Sequence, residues 1–172
     1  FLLEAGFRIC ILPVSRASGR RALPEGVEVS DALVLGTRQK CACMLRYGLG
    51  RVFWQEVLAG AVPFNARAVA RLAYACAVLR VHKERLQTLL AAEERAGRNG
   101  LFYTYWFTPT TCACAGSNAP VVTRAHGNDI FPEQNAGGYI PLCRLRATLP
   151  DRVVPCSRQG AATLEAQGVP PQ

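Results

Sequence analysis

Lysine is nearly missing from this chain. Of its 20 Lys and Arg residues, only Lys40 and Lys83 are lysines. There are two histidines, one methionine, no CxxC pair and no apolar run near the roughly 18 residues that span a bilayer. Each shortage excludes something. Structural zinc sites space their cysteine ligands by two to four residues, so the CxC pairs at 41–43 and 112–114 are weak metal signals. His82 and His126 lie outside any HxxxH or HExxH pattern, and neither GxSxG nor GxxxxGK[ST] occurs. Glu93 and Glu94 lie among Arg85, Arg95 and Arg98, which suits a solvated, salt-bridged face. "NAGGYIP" (135–141) is Gly-rich but has no lysine and no helical pattern after it. No enzyme, cofactor or metal is therefore expected. No membrane partner is expected either, because Arg, Lys or Gly breaks every apolar run.

What the chain has is arginine. Its formal net charge is +8 and its pI about 9.4, which points to a polyanionic partner. Residues 1–100 carry 15 basic and 8 acidic residues, whereas residues 101–172 carry 5 and 4, so the electrostatic footprint belongs to the first hundred. The planar guanidinium suits phosphate; arginine-rich codon usage is the bland explanation for part of the excess. Half of the 172 residues are apolar, a globular composition with room for one core. The eight cysteines read as mostly buried thiols of a reducing compartment. Cys41 and Cys43, two apart on a helix, point away from each other. Cys112 and Cys114 lie in a loop-like stretch, where a metal or a distant disulfide stays open.

Along the chain, "FRICILPV" (7–14) predicts a short strand ended by Pro13, and 15–31 a basic loop. Apolar spacing predicts a helix over 37–47, with Cys41, Met44 and Leu45 on its inner face, stopped by Gly48. A second helix runs from about Arg51 to Ala59. Asn65 caps a third, which continues through Leu90 with a break near 76–82. After Gly100, "LFYTYWF" (101–107) sets five aromatics in seven residues, as a strand or an extended anchor. Residues 108–172 read as largely irregular, "LCRLRATL" (142–149) being the one strand-like piece. The expected fold is mainly α: an N-terminal strand and basic loop (1–36), a helical RNA-binding core (37–100) and an aromatic, irregular C-terminal extension (101–172).

The order of residues in the core adds a resemblance. "TRQKCACMLRYGLGRVFWQEVLAGAVPFNARAV" resembles the small-subunit ribosomal protein thirteen family, in which a helix opened by Arg ends in Tyr-Gly-Ile-Gly-Arg. A Leu-Ala pair, an Ala and an Arg-Val then follow at fixed spacing. The matching positions are Arg38, Ala42, Tyr47, Gly48, Leu49, Gly50, Arg51, Leu58, Ala59, Ala61 and Arg67. "FRICILPV" resembles the family's opening strand, and the match covers roughly a third to a half of the chain. It implies a helix–two-turn–helix that meets ribosomal RNA in the head of the small subunit. Physically, a Gly turn lets backbone approach a phosphate, and free N–H groups at a helix start favour an anion. The implied RNA contacts are Gly48, Gly50 and Arg51, then Arg38, Lys40, Arg46 and Arg67. In the inserted basic loop, Arg16, Arg20 and Arg21 join them.

The chain departs from the family after its long helix. Where the family carries a basic run and a tail toward tRNA, this chain has no charged residue from Leu101 to Val122, which leaves a tRNA contact in doubt. Phe102, Tyr103, Tyr105, Trp106 and Phe107 are expected instead to contact protein. The expected partners are small-subunit rRNA and neighbouring head proteins, with small-subunit ribosomal protein nineteen implied by the resemblance, and the large subunit across a bridge. A first residue that is not Met, with added extensions, suggests a trimmed mitochondrial protein, placed in the matrix ribosome. The competing expectations are a helix–two-turn–helix DNA-binding protein and a non-catalytic subunit of an organellar complex.

Overall fold

The structure, a computed structural model, describes residues 2–15, 22–115 and 119–170. About half of the residues are helical, in seven α-helices with a few short strands among the described residues. The chain divides into two compact units, Phe1–Gln39 and Lys40–Gln172. In the first, β1 (Ile9–Ile11) pairs in parallel with β2 (Val27–Val29), Ile9 opposite Val27. The Arg8 guanidinium grips the Glu28 carboxylate with two hydrogen bonds of 3.0 and 2.8 Å. The basic loop thus contains a strand that its Gly and Pro breakers concealed.

Helix α1 (Thr37–Tyr47) has the predicted limits but buries none of its residues, and Leu45 is 90% exposed. The expected inner face of Cys41, Met44 and Leu45 is a correction: Cys41 and Leu45 face solvent and Met44 is half-buried. Helical spacing shows that residues share a side, not that anything covers it. Helix α2 (Arg51–Leu58) turns Phe53 inward and leaves Trp54 and Leu58 outside.

Helix α3 (Ala66–Arg95) runs unbroken for 30 residues, without the expected interruption. Asn65 caps it, its side chain accepting from Ala68 N at 2.8 Å. Four consecutive buried residues, Ala75, Cys76, Ala77 and Val78, show that burial at its middle is not confined to one stripe, although Tyr74 beside them is exposed. Phe53, Ala68, Leu72, Ala75 and Cys76 form one core cluster with Tyr139 and Leu142.

Residues 101–170 correct the irregular extension most sharply. Strands β3 (Phe102–Thr104), β4 (Val121–Ala125) and β5 (Arg152–Pro155) form a parallel sheet in the order β3-β4-β5. Thr104 stands opposite Thr123, and Ala125 opposite Pro155. Between and after the strands come α4 (Pro109–Cys114), α5 (Gly127–Ile130), α6 (Cys143–Thr148) and α7 (Arg158–Ala166). The strand-like "LCRLRATL" is helix α6, which buries Arg146 and Ala147. Central β4 buries alternate residues Val121, Thr123 and Ala125. A second core gathers Phe107, Ala125, Ile130, Val153 and Leu164. Helix α4 packs on α3, where His82 Nδ1 lies 3.0 Å from the Thr110 hydroxyl.

A candidate ligand site at the carboxyl edge of the sheet

Parallel strands deliver their carboxyl ends to one edge, and in open α/β sheets that edge is where ligands bind. The first residues beyond β3, β4 and β5 are Tyr105, His126 and Cys156, and they meet there. The His126 ring centroid lies 4.9 Å from that of Tyr105 and 4.4 Å from that of Trp106. Tyr105 and Trp106 meet edge to face at 5.5 Å and are each about half exposed, at 54% and 47%.

Hydrogen bonds set the histidine's tautomer. His126 Nε2 lies 3.1 Å from the Tyr105 carbonyl oxygen, which can only accept. Nε2 therefore carries the hydrogen and Nδ1 is the ring's acceptor, the side chain also facing the Asp129 backbone N–H in the capping box that opens α5. Nδ1 lies 3.4 Å from Cys156 Sγ. Arg124 Nε donates to the same sulfur at 3.3 Å, and its guanidinium lies 5.9 Å from the Tyr105 ring centroid.

The floor beneath is fixed by buried polar groups. One Asp129 carboxylate oxygen accepts from Phe107 N and His126 N, each at 3.1 Å, tying the loop after β3 to the one after β4. Thr104 donates to Thr123 at 2.7 Å and lies 2.9 Å from Thr111, whose hydroxyl donates to the Trp106 carbonyl at 3.1 Å. Arg146, 3% exposed, stacks its guanidinium 4.2 Å from the Phe107 ring centroid and donates to the Asp129 carbonyl at 2.7 Å. Its Nε has no hydrogen-bond partner among the described residues. Burial lowers the pKa of Arg146.

The predicted RNA contacts fall elsewhere. Arg38, Arg46, Arg51 and Arg67 are exposed and Lys40 is half-buried, all on α1, α2 and the start of α3. Arg16, Arg20 and Arg21 lie outside the described residues. The free N–H groups expected at the Gly turn are a correction. Gly48 N donates to the Met44 carbonyl at 2.9 Å and Gly50 N to the Tyr47 carbonyl at 3.2 Å. Gly48 is buried, and a Cβ there would overlap the Met44 carbonyl oxygen and press on the Ala73 carbonyl at 3.2 Å. Its missing side chain serves close packing on α3.

Among the expected protein contacts, Tyr103, Tyr105 and Trp106 are exposed and Phe102 is half-buried. Phe107 is corrected to core at 2% exposure, because the turn after β3 sends it inward beneath Arg146. Cys112 and Cys114 lie within α4, not in a loop. They and Cys76 are buried thiols whose pKa values desolvation pushes up to about 12. No group of three or more metal-ligating side chains assembles among the described residues, and no helix there is long and apolar enough to cross a membrane.

Sequence reading missed His126, Cys156, Arg124, Asp129 and Arg146. A faint signal existed: "VVTRAHG" and "RVVPCS" each run from β-branched residues straight into turn residues, as βα junctions do. Comparison with known families, curated proteins and solved structures finds no match.

Proposed function

We propose that this chain binds a ring-bearing anion, a nucleotide being the simplest example, at the carboxyl edge of its parallel sheet. The observation that carries the reading is the meeting of Tyr105, His126 and Cys156, each the first residue past its strand. A flat ring finds half-exposed Tyr105 and Trp106 to stack on. The Arg124 guanidinium supplies the charge. The test is a titration of the Trp54→Phe protein with nucleotides, followed by Trp106 fluorescence. Saturable quenching is expected, with affinity falling about tenfold in Tyr105→Ala and in Arg124→Ala. Unchanged fluorescence across mono-, di- and triphosphates of all bases would overturn the reading.

A second reading concerns α1 to α3 and is favoured by exposed Arg38, Arg46, Arg51 and Arg67. In it the chain is a structural, non-catalytic protein of the mitochondrial small ribosomal subunit. α1, the Gly turn and α2 serve as its helix–two-turn–helix, binding rRNA through guanidinium–phosphate pairs, beside neighbouring head proteins. Cosedimentation with the small subunit, lost on RNase treatment and weakened by Arg51→Glu, is the expected result. An association that survives RNase sinks it.

A further inference from the structure

Cys156 stands with both a proton acceptor and a cationic donor. It is exposed, with His126 Nδ1 at 3.4 Å and Arg124 Nε at 3.3 Å. Nucleophile, base and orienter are the three parts of an activated nucleophile. Here the orienter is the Tyr105 carbonyl, whose hydrogen bond with Nε2 holds the ring with Nδ1 beside the sulfur. The His126 backbone N–H is also held by Asp129, so the ring is fixed from two sides. Tyr105 and Trp106 pack against the His126 ring, and the Asp129 carboxylate accepts from the Phe107 and His126 backbone N–H groups.

We infer that Cys156 is a base-assisted nucleophilic thiol and that the carboxyl edge is a site of covalent modification by low-molecular-weight disulfides. The inference deepens the ligand-site reading, because it gives that site its regulation. In the step, the Cys156 sulfur attacks one sulfur of the disulfide while its proton passes to His126 Nδ1. The S–S bond breaks as the new one forms. The departing thiolate takes the proton from the imidazolium and leaves as a thiol. Arg124 Nε–H holds the sulfur as charge develops on it. The mixed disulfide so formed lies against Tyr105, His126 and Arg124, where the ring-bearing ligand is placed, and it excludes that ligand.

The other thiols serve as internal references. Cys76, Cys112 and Cys114 are buried, whereas Cys10 and Cys41 are exposed. The full chain is treated with oxidised glutathione, and modification is mapped peptide by peptide over time. Cys156 is expected to react at least about tenfold faster than Cys10 and Cys41. His126→Ala should bring Cys156 down to their rate. Arg124→Gln should slow it by a smaller factor, with the circular dichroism spectrum unchanged in both variants. Nucleotide binding is read separately in the same protein, by Trp106 fluorescence. A failed ligand reading with a sound thiol therefore shows as fast Cys156 modification without nucleotide binding. Equal rates at Cys156 and Cys41, or a rate indifferent to His126→Ala, would overturn the inference.

Discussion

The helices before residue 100 and the sheet after it meet the burial problem in different ways. α3 carries nine buried residues on one continuous helix, and all but His82 are apolar. Around the sheet, Thr111, Thr123, Asp129 and Arg146 are buried as well, each held to backbone or to another side chain. The helical part is sustained by apolar area along one element. The sheet part depends on polar groups that link segments far apart in sequence. Buried polar groups must be satisfied, and those that are fix geometry more closely than apolar contact does. At the sheet edge, those links hold the loops after β3 and β4 to each other.

The largest expected effect tests whether the two regions stand or fall together. Leu72 is fully buried in the helical core. Leu72→Ala should cost about 3–4 kcal/mol. Trp54 reports on the helices and Trp106 on the sheet. In urea unfolding both signals should shift to the same lower midpoint, as one cooperative unit requires. A shift in Trp54 fluorescence alone would break the comparison into two independently stable parts.

Next comes the sheet's own anchor. Asp129→Ala strips two backbone N–H groups of their acceptor, at about 3 kcal/mol in total. The same change frees the His126 loop, so the Cys156 reaction with oxidised glutathione should slow along with it. Normal thiol chemistry in a destabilised variant would mean that the Tyr105 carbonyl alone orients the ring.

Gly48 probes the helical side. Its Cα packs against Ala73, and Gly48→Ala should cost about 2 kcal/mol through overpacking. Differential scanning calorimetry measures it. A neutral result would return the glycine to a role outside the core, such as close approach to a phosphate.

The smallest effect is electrostatic and depends on pH. Glu56 is 8% exposed and receives the Tyr139 hydroxyl at 3.5 Å. It lines a cavity of about 200 Å³ with Tyr139, Cys143 and Arg144. Desolvation raises its carboxyl above the ordinary value of 4.5, more than Tyr139 and Arg144 lower it. A raised acid binds more protons folded than unfolded, so stability is greatest below the unfolded value and falls as pH rises past it. Glu56→Gln should therefore gain about 1 kcal/mol or less relative to the parent at pH 7 and nothing at pH 4. A parent whose midpoint rises from pH 4 to pH 7 through this residue would reverse the sign.

How legible the molecule was follows the same divide. α1, α2 and the Asn65 cap of α3 were readable because their signals are local: a helical period and a side chain that meets an N–H three residues on. The sheet was not, because three to five residues of strand carry too little alternation to register. The glycines and prolines around them also gave the whole stretch the look of a loop. The candidate site was less legible still. His126 and Cys156 stand thirty positions apart, each in a turn-like stretch, and neither hints at the other.

The sequence alone determined the arginine-rich charge, its concentration in the first hundred residues and the limits of the early helices. These follow from composition and from contacts within four residues along the chain. Only the tertiary structure decided that Cys41 and Leu45 of α1 stay in solvent, that Gly48 is a packing residue and that His126 lies beside Cys156. Each depends on which distant segment comes to lie alongside: α3 beside Gly48, and β5 paired in parallel with β4 so that Cys156 meets His126.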